Sequence, residues 1–344
     1  MLHPLTPVLD VALGNQFGIP ALNGNNLEQV TAIMEAARKT DSPAIIQLSR
    51  GARKYAGDWA LRALMFAAAD QYPEVPLVVH LDHGNEPEVC RSAVANGFTS
   101  VMMDGSLLPD GKTPSDFWYN VAVTRHVVEI AHAKGVSVEG EIGCLGHLIT
   151  GTGEKEEEQG AEGKLTRRQL LTDPDEAAEF VKLTGVDALA VAIGTSHGAY
   201  KFTEPPDADV LAIEHLAKIR AKVPPTMHLV MHGSSSLPQE LRDVINQFGG
   251  KLKPAWGVPL EAIQRAIRIG GVTKINVDTD NRLAITAAIR RFLVEQPDKF
   301  DLRDYWRPAR AAMQEVCEKR MVAFGSAGQG PKVREKLGGY GQKS

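Results

Sequence analysis

Short apolar runs rich in valine, isoleucine, alanine and methionine alternate along the chain with stretches whose apolar residues recur at helical spacing. Continuous apolar runs are typical of strands buried on both faces, and the stretches between them are typical of amphipathic helices. Eight such strand-helix units are present. The predicted strands are residues 17–23, 43–49, 76–82, 98–104, 136–142, 187–194, 228–233 and 273–279. Helices are predicted at residues 26–39, 58–70, 87–96, 114–134, 174–184 and 281–295.

Eight units of this kind predict an α/β fold, a (β/α)₈ TIM barrel with a C-terminal helical extension. A length of 344 residues without a break in composition favours a single catalytic barrel over residues 1–300. Residues 301–325 are predicted to be helical, and the Gly-rich polar tail 326–344 is expected to pack loosely or to reach a neighbouring subunit. Both segments are assigned to the same domain. The alternative, a doubly wound open sheet, lacks the usual G-x-G-x-x-G after its first strand.

Charge and cysteine content exclude several classes of protein. A net charge of −4 gives no broad positive field, so nucleic acid is not an expected partner. The three cysteines are far apart and form no C-x-x-C, which argues against both a disulfide framework and a thiolate zinc site. The N-terminus lacks the pattern of a signal peptide, and no run of about 18 apolar residues occurs. We therefore expect a cytoplasmic protein that does not associate with a membrane.

Three histidines end predicted strands three, six and seven: His83, His197 and His232. Because the carboxyl ends of barrel strands meet on one face, their imidazoles are expected to converge, as a zinc site with an open position requires. A single strand histidine is more often a hydrogen-bonded core residue. His80 is interpreted in that way, since it precedes His83 by three residues and is predicted to face the other side of the strand.

Four carboxylates end strands at the same face: Asp82, Asp104, Glu139 and Glu141. Burying such groups is costly unless they are paired or bind a cation, so the cluster indicates a metal or a proton-transfer task. Asp82 is the candidate acid/base. A ring of salt bridges that caps the barrel is the alternative.

Small and hydroxyl residues follow strands seven and eight, where many barrels hold phosphate. They are Gly233 to Ser236 and Asn276 to Thr279. After strand two, the run SRGARKYAG adds a hydroxyl and three cations that could meet a second phosphate: Ser49, Arg50, Arg53 and Lys54. Ordinary turns also contain such glycine-serine runs. The connection at about residues 144–171 is far longer than usual, which indicates a lid or a solvated insertion.

Five motifs in order, HLDHG, VEGEIG, IGTSHGAYKF, HGSSS and KINVDTD, resemble those of class II, metal-dependent fructose-1,6-bisphosphate aldolases. The resemblance covers about residues 1–330. Within the family the chain is most similar to the bacterial and cyanobacterial branch with a long GTGE-containing loop, whose members also act on sedoheptulose-1,7-bisphosphate.

The resemblance implies roles for individual residues. His83, His197 and His232 would bind catalytic zinc, and Asp82 would transfer the proton of the C4 hydroxyl. Asp104 and Glu141 would form a second or alternative metal position. The implied phosphate and triose contacts are Ser49, Gly198, Lys201, Gly233, Ser234, Ser235, Asn276, Asp278 and Thr279, with Asn23 nearby. Lys201 would also lie beside a monovalent cation site.

The family places a mobile glutamate in the long loop. Glu156 is the best alignment for that base, with Glu154, Glu157 and Glu158 left open, because Ile149 and Gln159 stand where Glu and His are expected. A basic residue near the C-terminal end, for which Arg320 is the candidate, would reach a neighbour's phosphate. A homo-oligomer, dimer or tetramer, is implied.

Cleavage of a ketose bisphosphate needs an electron sink at the C2 carbonyl, and a Lewis-acidic zinc supplies one. The nearest alternative is the same chemistry on tagatose-1,6-bisphosphate, which differs in configuration at C4. Others are a Schiff-base aldolase using Lys274, a zinc-dependent phosphate-ester hydrolase and, least favoured, a non-catalytic binding protein.

Overall fold

The computed structural model describes residues 2–144, 146, 165–195, 202, 204–206 and 211–338. Within these residues, eight parallel strands form a closed barrel in chain order, and β8 pairs with β1. The strands are β1 Ile19–Asn23, β2 Ala44–Ser49, β3 Leu77–Gly84, β4 Ser100–Met103, β5 Ser137–Ile142, β6 Ala188–Val191, β7 His228–Met231 and β8 Val272–Val277. All eight predicted strands are confirmed, and so is the TIM barrel.

Helices cover the outside of the barrel and close one of its ends. In the described part of the chain they are α1 Leu5–Gly14, α2 Leu27–Thr40, α3 Arg50–Ala56, α4 Asp58–Gln71, α5 Pro87–Ala95, α6 Phe117–His132, α7 Arg167–Leu170, α8 Pro174–Thr184, α9 Ile213–Lys222, α10 Gln239–Gln247, α11 Leu260–Gly270, α12 Thr279–Glu295, α13 Leu302–Phe324 and α14 Gly330–Gly338.

Capping side chains fix several helix starts that the sequence predicts. Asn26 accepts a hydrogen bond from the backbone N–H of Gln29 at the start of α2. Asp173 accepts from two backbone N–H groups at the start of α8, whose first residue is Pro174. Such caps satisfy N–H groups that have no partner inside the helix.

The N-terminal helix α1, which the sequence did not predict, closes the amino end of the barrel. Its residues Leu5, Val8 and Leu9 are fully buried. They pack in one cluster with the lower, inward-facing layer of the strands, which comprises Ala21, Ile45, Val78, Met102, Ala188, Ala190 and Val230. The barrel interior is therefore an apolar core at this end.

The C-terminal segment belongs to the helical layer. Helix α13 packs against α12 and α2, and its residues Met313, Cys317 and Met321 join the main core. The expectation that the tail packs loosely is wrong for residues 330–338, because they form α14, which buries Val333 and Leu337 beside α1. Two apolar side chains at helical spacing in a polar stretch are sufficient to anchor this helix.

None of the described helices is long and apolar enough to cross a membrane. The three cysteines, Cys90, Cys144 and Cys317, are buried.

Candidate active site

The carboxyl end of β3 supplies two adjacent polar side chains. Alternate residues of a strand face the same side, so Asp82 points into the barrel together with Val78 and His80. At His83 the pairing of β3 with β4 shifts register and the backbone takes the left-handed conformation, with φ of 49°. Non-glycine residues rarely adopt this conformation, and those that do are often found at functional sites.

The irregular backbone corrects the prediction that His80 and His83 face opposite sides of the strand. Both imidazoles lie inside the barrel: His80 contacts Ser100 and lies near Glu139, and His83 contacts Asp104 and His232. The period of two fails here because the register shift rotates His83 inward. The structural interpretation of His80 agrees with its complete burial and with a pKa held well below its ordinary value, chiefly by desolvation.

His83 and His232 approach each other directly at the mouth of the barrel. The Nε2 atom of His83 lies 3.0 Å from the Nδ1 atom of His232. The Nδ1 atom of His83 lies 2.9 Å from a carboxylate oxygen of Asp104. The Nε2 atom of His232 lies 2.8 Å from a carboxylate oxygen of Glu139. Each imidazole therefore contacts a carboxylate through one ring nitrogen, while its other nitrogen faces the second imidazole.

Glu141 lies beside this pair and completes an acidic cluster. One nitrogen or carboxylate oxygen each from Asp82, His83 and His232 lie within 4.8 Å of one another, and the same holds for His83, Asp104 and Glu141. Desolvation, together with the neighbouring charge of Asp104, raises the pKa of Glu141 well above its ordinary value. One oxygen of Glu141 has no hydrogen-bond partner although it is buried.

This environment fits a divalent cation. Burial alone would lower the pKa of His83, but Asp82, and then Asp104 and Glu141, outweigh it and raise that pKa to about 10. Burial alone would raise the pKa of Asp104, but the hydrogen bond and charge of His83 lower it to about 2. The raised pKa values of His83 and Glu141 both reflect the negative charge of the neighbouring carboxylates, and a cation is the group that would stabilise that charge.

Asp82 is fixed by two amides on neighbouring strands. Gln47 donates to one carboxylate oxygen at 3.2 Å, and Asn276 donates to the other at 3.2 Å. Gln47 also donates to Asn23 at 2.6 Å, which places the lesser candidate Asn23 in the same network. These contacts orient the carboxylate of Asp82 toward the mouth of the barrel, where proton transfer would take place.

The loops after β7 and β8 lie together. Gly233 adopts a left-handed φ of 63°, which favours glycine. The hydroxyl of Ser234 lies 3.2 Å from the carbonyl oxygen of His232, and the hydroxyl of Ser235 accepts from the backbone N–H groups of Asp278 and Thr279. The two predicted phosphate loops therefore form one unit.

The three cations after β2 have different surroundings. Arg53 is held by Asp58, Ser92 and the carbonyl of Val89, so the structure does not support it as a phosphate ligand. Arg50 and Lys54 line an open cavity of about 640 Å³. The other lining residues are Asn25, Asn26, Gln29, Gly51, Tyr55 and Arg282. Ser49 accepts from the N–H of Ala52 as the cap of α3.

The structure contradicts the idea that Arg320 reaches a neighbour's phosphate. Arg320 is buried and forms an ion pair of 2.8 Å with Asp280 of its own chain. It also donates to the hydroxyl of Ser236 at 2.5 Å, and Asp280 accepts from the backbone N–H groups of Ser236 and Leu237. Arg320 thus supports the loop after β7 from below.

Four predicted site residues lie outside the described residues: Glu156 of the long loop, His197, Gly198 and Lys201. At the start of α7, Thr166 and Gln169 form a capping box.

Sequence reasoning missed two residues at the site, Gln47 and Asp280, and it missed the structural role of Lys274. Gln47 could have been found, because it lies two residues before Ser49 and shares its inward face. Asp280 and Arg320 are 40 residues apart, and nothing local in the sequence connects them.

Comparisons with known proteins agree with this geometry. The family model described as fructose-bisphosphate aldolase class-II matches residues 3–329. A fructose-bisphosphate aldolase of Nostoc sp. is 58% identical over 97% of this chain and 92% of its own length. The relative from Pseudomonas aeruginosa is 57% identical over 97% of this chain and 94% of its own length.

A solved structure gives the same result at lower identity. The crystal structure of the YdjI aldolase from Escherichia coli K12 matches with a TM-score of 0.72 and 28% identity, covering 96% of this chain and all of that one. The barrel, the facing histidines and the surrounding carboxylates are accompanied by a family match over nearly the whole sequence. The chain belongs to the class II fructose-bisphosphate aldolase family.

Proposed function

We propose that this site catalyses the reversible cleavage of D-fructose 1,6-bisphosphate to dihydroxyacetone phosphate and D-glyceraldehyde 3-phosphate. As a class II aldolase the protein is an aldehyde-lyase, and the family implies a divalent metal. The observation that carries the residue assignment is the convergence of Asp82, His83 and His232 with Asp104 and Glu141 at the barrel mouth.

Asp82 is the base in this proposal. Its carboxylate removes the proton of the C4 hydroxyl as the C3–C4 bond breaks and glyceraldehyde 3-phosphate forms. Gln47 and Asn276 hold that carboxylate from either side, so it needs little rearrangement before proton transfer.

His83 and His232, with His197, would hold the cation, for which we propose zinc. When bound, a divalent cation there supplies a Lewis acid that polarises the C2 carbonyl of the ketose. Asp104 and Glu141 would offer a second or alternative position. Burial raises the pKa of the nearby Cys144 to about 12, which favours the neutral thiol over a thiolate ligand and supports a donor set of histidines and carboxylates.

The remaining steps need residues on loops. Glu156, or one of Glu154, Glu157 and Glu158, would return a proton at C3 to give dihydroxyacetone phosphate. Closure of that loop would exclude water. Lys201 would lie beside a monovalent cation.

The two phosphates would bind on opposite sides of the barrel mouth. The unit formed by Gly233, Ser234 and Ser235 with Asp278 and Thr279 offers backbone N–H groups and hydroxyls for one phosphate. Ser49, with Arg50 and Lys54 at the edge of the 640 Å³ cavity, would meet the other. Gly198 would also contact the substrate.

The comparisons do not favour the rival functions. A Schiff-base aldolase needs an uncharged lysine, but Lys274 is buried in an ion pair of 3.0 Å with Glu139. The relatives are named as fructose-bisphosphate aldolases, not as tagatose-bisphosphate aldolases or as phosphatases. We propose sedoheptulose-1,7-bisphosphate as a second substrate, which would link the enzyme to the Calvin cycle as well as to glycolysis and gluconeogenesis, and a homo-oligomer in the cytoplasm.

The test follows cleavage of fructose-1,6-bisphosphate as triose phosphate, before and after chelation with EDTA and again after adding Zn²⁺. The proposal expects activity to be lost to the chelator and restored by zinc. Activity that is indifferent to chelation would overturn the histidine assignment. Release of inorganic phosphate without triose phosphate would indicate a hydrolase. The same assay with tagatose-1,6-bisphosphate and sedoheptulose-1,7-bisphosphate compares the substrates.

A further inference from the structure

A buried charged network lies directly below the proposed metal site. The carboxylate of Glu139 contacts Nε2 of His232 at 2.8 Å and the ammonium of Lys274 at 3.0 Å. Nε2 of His80 lies 3.6 Å from the same carboxylate. The side chains of Glu139, Lys274 and His80 have no exposed surface, and that of His232 is 1% exposed. Solvent therefore does not screen these interactions.

The contact with Glu139 determines which nitrogen of His232 can bind a cation. A carboxylate only accepts hydrogen bonds, so Nε2 of His232 must carry the proton that lies toward Glu139. The lone pair of the neutral ring is then on Nδ1, the atom that faces His83 at 3.0 Å. Glu139 thus selects the tautomer and the ring orientation that a metal ligand needs.

Lys274 connects this carboxylate to the catalytic base. Its ammonium pairs with Glu139 and donates to the amide oxygen of Asn276 at 2.8 Å. That contact fixes the amide so that its nitrogen donates to Asp82 at 3.2 Å. One buried ammonium therefore orients both a metal-ligand histidine, through Glu139, and the base, through Asn276.

The energetic cost of this arrangement indicates a functional purpose. Burying an ion pair costs several kcal/mol per ion in desolvation, and an apolar pair of similar volume is often equally stable or more so. The inward layer immediately below this network contains an apolar cluster, so an apolar pair at these two positions would have apolar neighbours on that side. Stability alone does not explain a charged pair at this depth.

We propose that Glu139 and Lys274 are positioning residues for the metal site and the base, acting through His232 and Asn276. The proposal rests on the proposed function for the identity of the metal ligands. It predicts that metal affinity depends on the Glu139 carboxylate even when folding does not.

The experiment uses the full-length protein in three forms: wild type, Glu139→Leu/Lys274→Met, and Glu139→Gln/Lys274→Met. Zn²⁺ affinity is measured by competition with a chromogenic chelator in the absence of substrate, and the Tm of the metal-free protein is measured in parallel. We expect the Leu/Met variant to keep a Tm within a few degrees of wild type and to bind Zn²⁺ roughly 10- to 100-fold more weakly. The Gln/Met variant keeps a neutral acceptor for His232, so we expect it to recover part of the affinity.

The matched control is His228→Gln. His228 is a buried histidine at the opposite end of the barrel that pairs with Asp10. We expect this control to change Tm and to leave Zn²⁺ affinity unchanged.

Wild-type Zn²⁺ affinity in the Leu/Met variant would overturn the proposal. If that variant fails to fold, the Gln/Met variant is the test. A Zn²⁺ affinity equal to wild type in the Gln/Met variant, together with a lower Tm, would show that the network serves only the stability of the fold. Because affinity is measured without substrate, a failure of the proposed aldolase reaction in the wild type is seen separately, in the cleavage assay.

Discussion

The two ends of the barrel interior differ in chemistry, largely apolar at the amino end and largely polar at the carboxyl end, although the same strands build both. At the amino end, Ile45, Val78 and Val230 pack against Leu5 and Leu9 of α1. At the carboxyl end, the same strands β2, β3 and β7 present Gln47, Asp82 and His232. On each of these strands, the residue in the apolar core and the residue in the polar site are only two or four positions apart.

The difference shows how the barrel supports an unfavourable site. Fully burying a leucine or valine side chain stabilises a fold by about 1.5–3 kcal/mol, and the amino end contains many such residues. Burying polar atoms without a hydrogen-bond partner, such as one carboxyl oxygen of Glu141, destabilises it. Stability is thus concentrated in one half of the interior and chemistry in the other. Substitutions at the amino end should therefore lower stability and spare turnover, whereas substitutions at the carboxyl end should lower turnover and spare stability.

The largest effect on turnover should come from Asp82→Asn. The amide keeps the shape of the side chain but cannot accept the C4 hydroxyl proton, so we expect kcat to fall by roughly 10²- to 10⁴-fold with little change in Tm. Steady-state kinetics and thermal melts of the metal-loaded protein would measure both. Retention of more than a tenth of the wild-type kcat would remove Asp82 from the role of base.

The converse substitution is Leu9→Ala in α1. Leu9 is fully buried, so the cavity left by the substitution should lower the free energy of unfolding by about 2–5 kcal/mol. At a temperature where the protein is folded, kcat should stay near wild type. Denaturant titration measures the free energy of unfolding, and the cleavage assay measures kcat. A large loss of kcat in the folded variant would show that the two ends are coupled.

A smaller effect is expected from Arg320→Lys, which weakens support for the loop after β7. Lysine keeps the charge but loses the planar fork that contacts both Asp280 and Ser236. We expect KM for the bisphosphate to rise roughly fivefold, equivalent to about 1 kcal/mol of binding energy, with a smaller change in kcat. Arg303→Lys, at an exposed ion pair with Asp301, is the matched control and should change neither.

The smallest effect should be a pH dependence at the amino end. The hydrogen bond with His228 lowers the pKa of Asp10 below its ordinary value of 3.8. A lowered carboxyl pKa contributes stability that is fully present above pH 3.8 and is lost as the pH falls through the lowered pKa. Because Asp10 is partly exposed, we expect Asp10→Asn to cost only about 0.5 kcal/mol near neutral pH and nothing in strong acid. Unfolding curves at several pH values would detect the difference, and an equal cost at every pH would contradict it.

Local sequence patterns predicted most of the fold and several residues of the candidate site. The alternation of apolar runs and amphipathic stretches predicted all eight strands, since strand and helix periods depend on neighbouring residues. The motif HLDHG and the glutamate doublet in VEGEIG marked residues that the structure brings together. Helix α1 was missed because Pro7 interrupts its apolar positions and because its burial depends on the barrel that it closes.

The sequence by itself determined the barrel, the face that carries the chemistry and, through its motifs, the family. Only the tertiary structure decided that His83 turns inward at a register shift, that Glu139 and Lys274 form a pair beneath the site, and that Arg320 is bound to Asp280 rather than directed toward a neighbour. The reason is physical: periodicity is a property of adjacent residues, whereas a buried charge finds its partner across the barrel, many residues away in the chain.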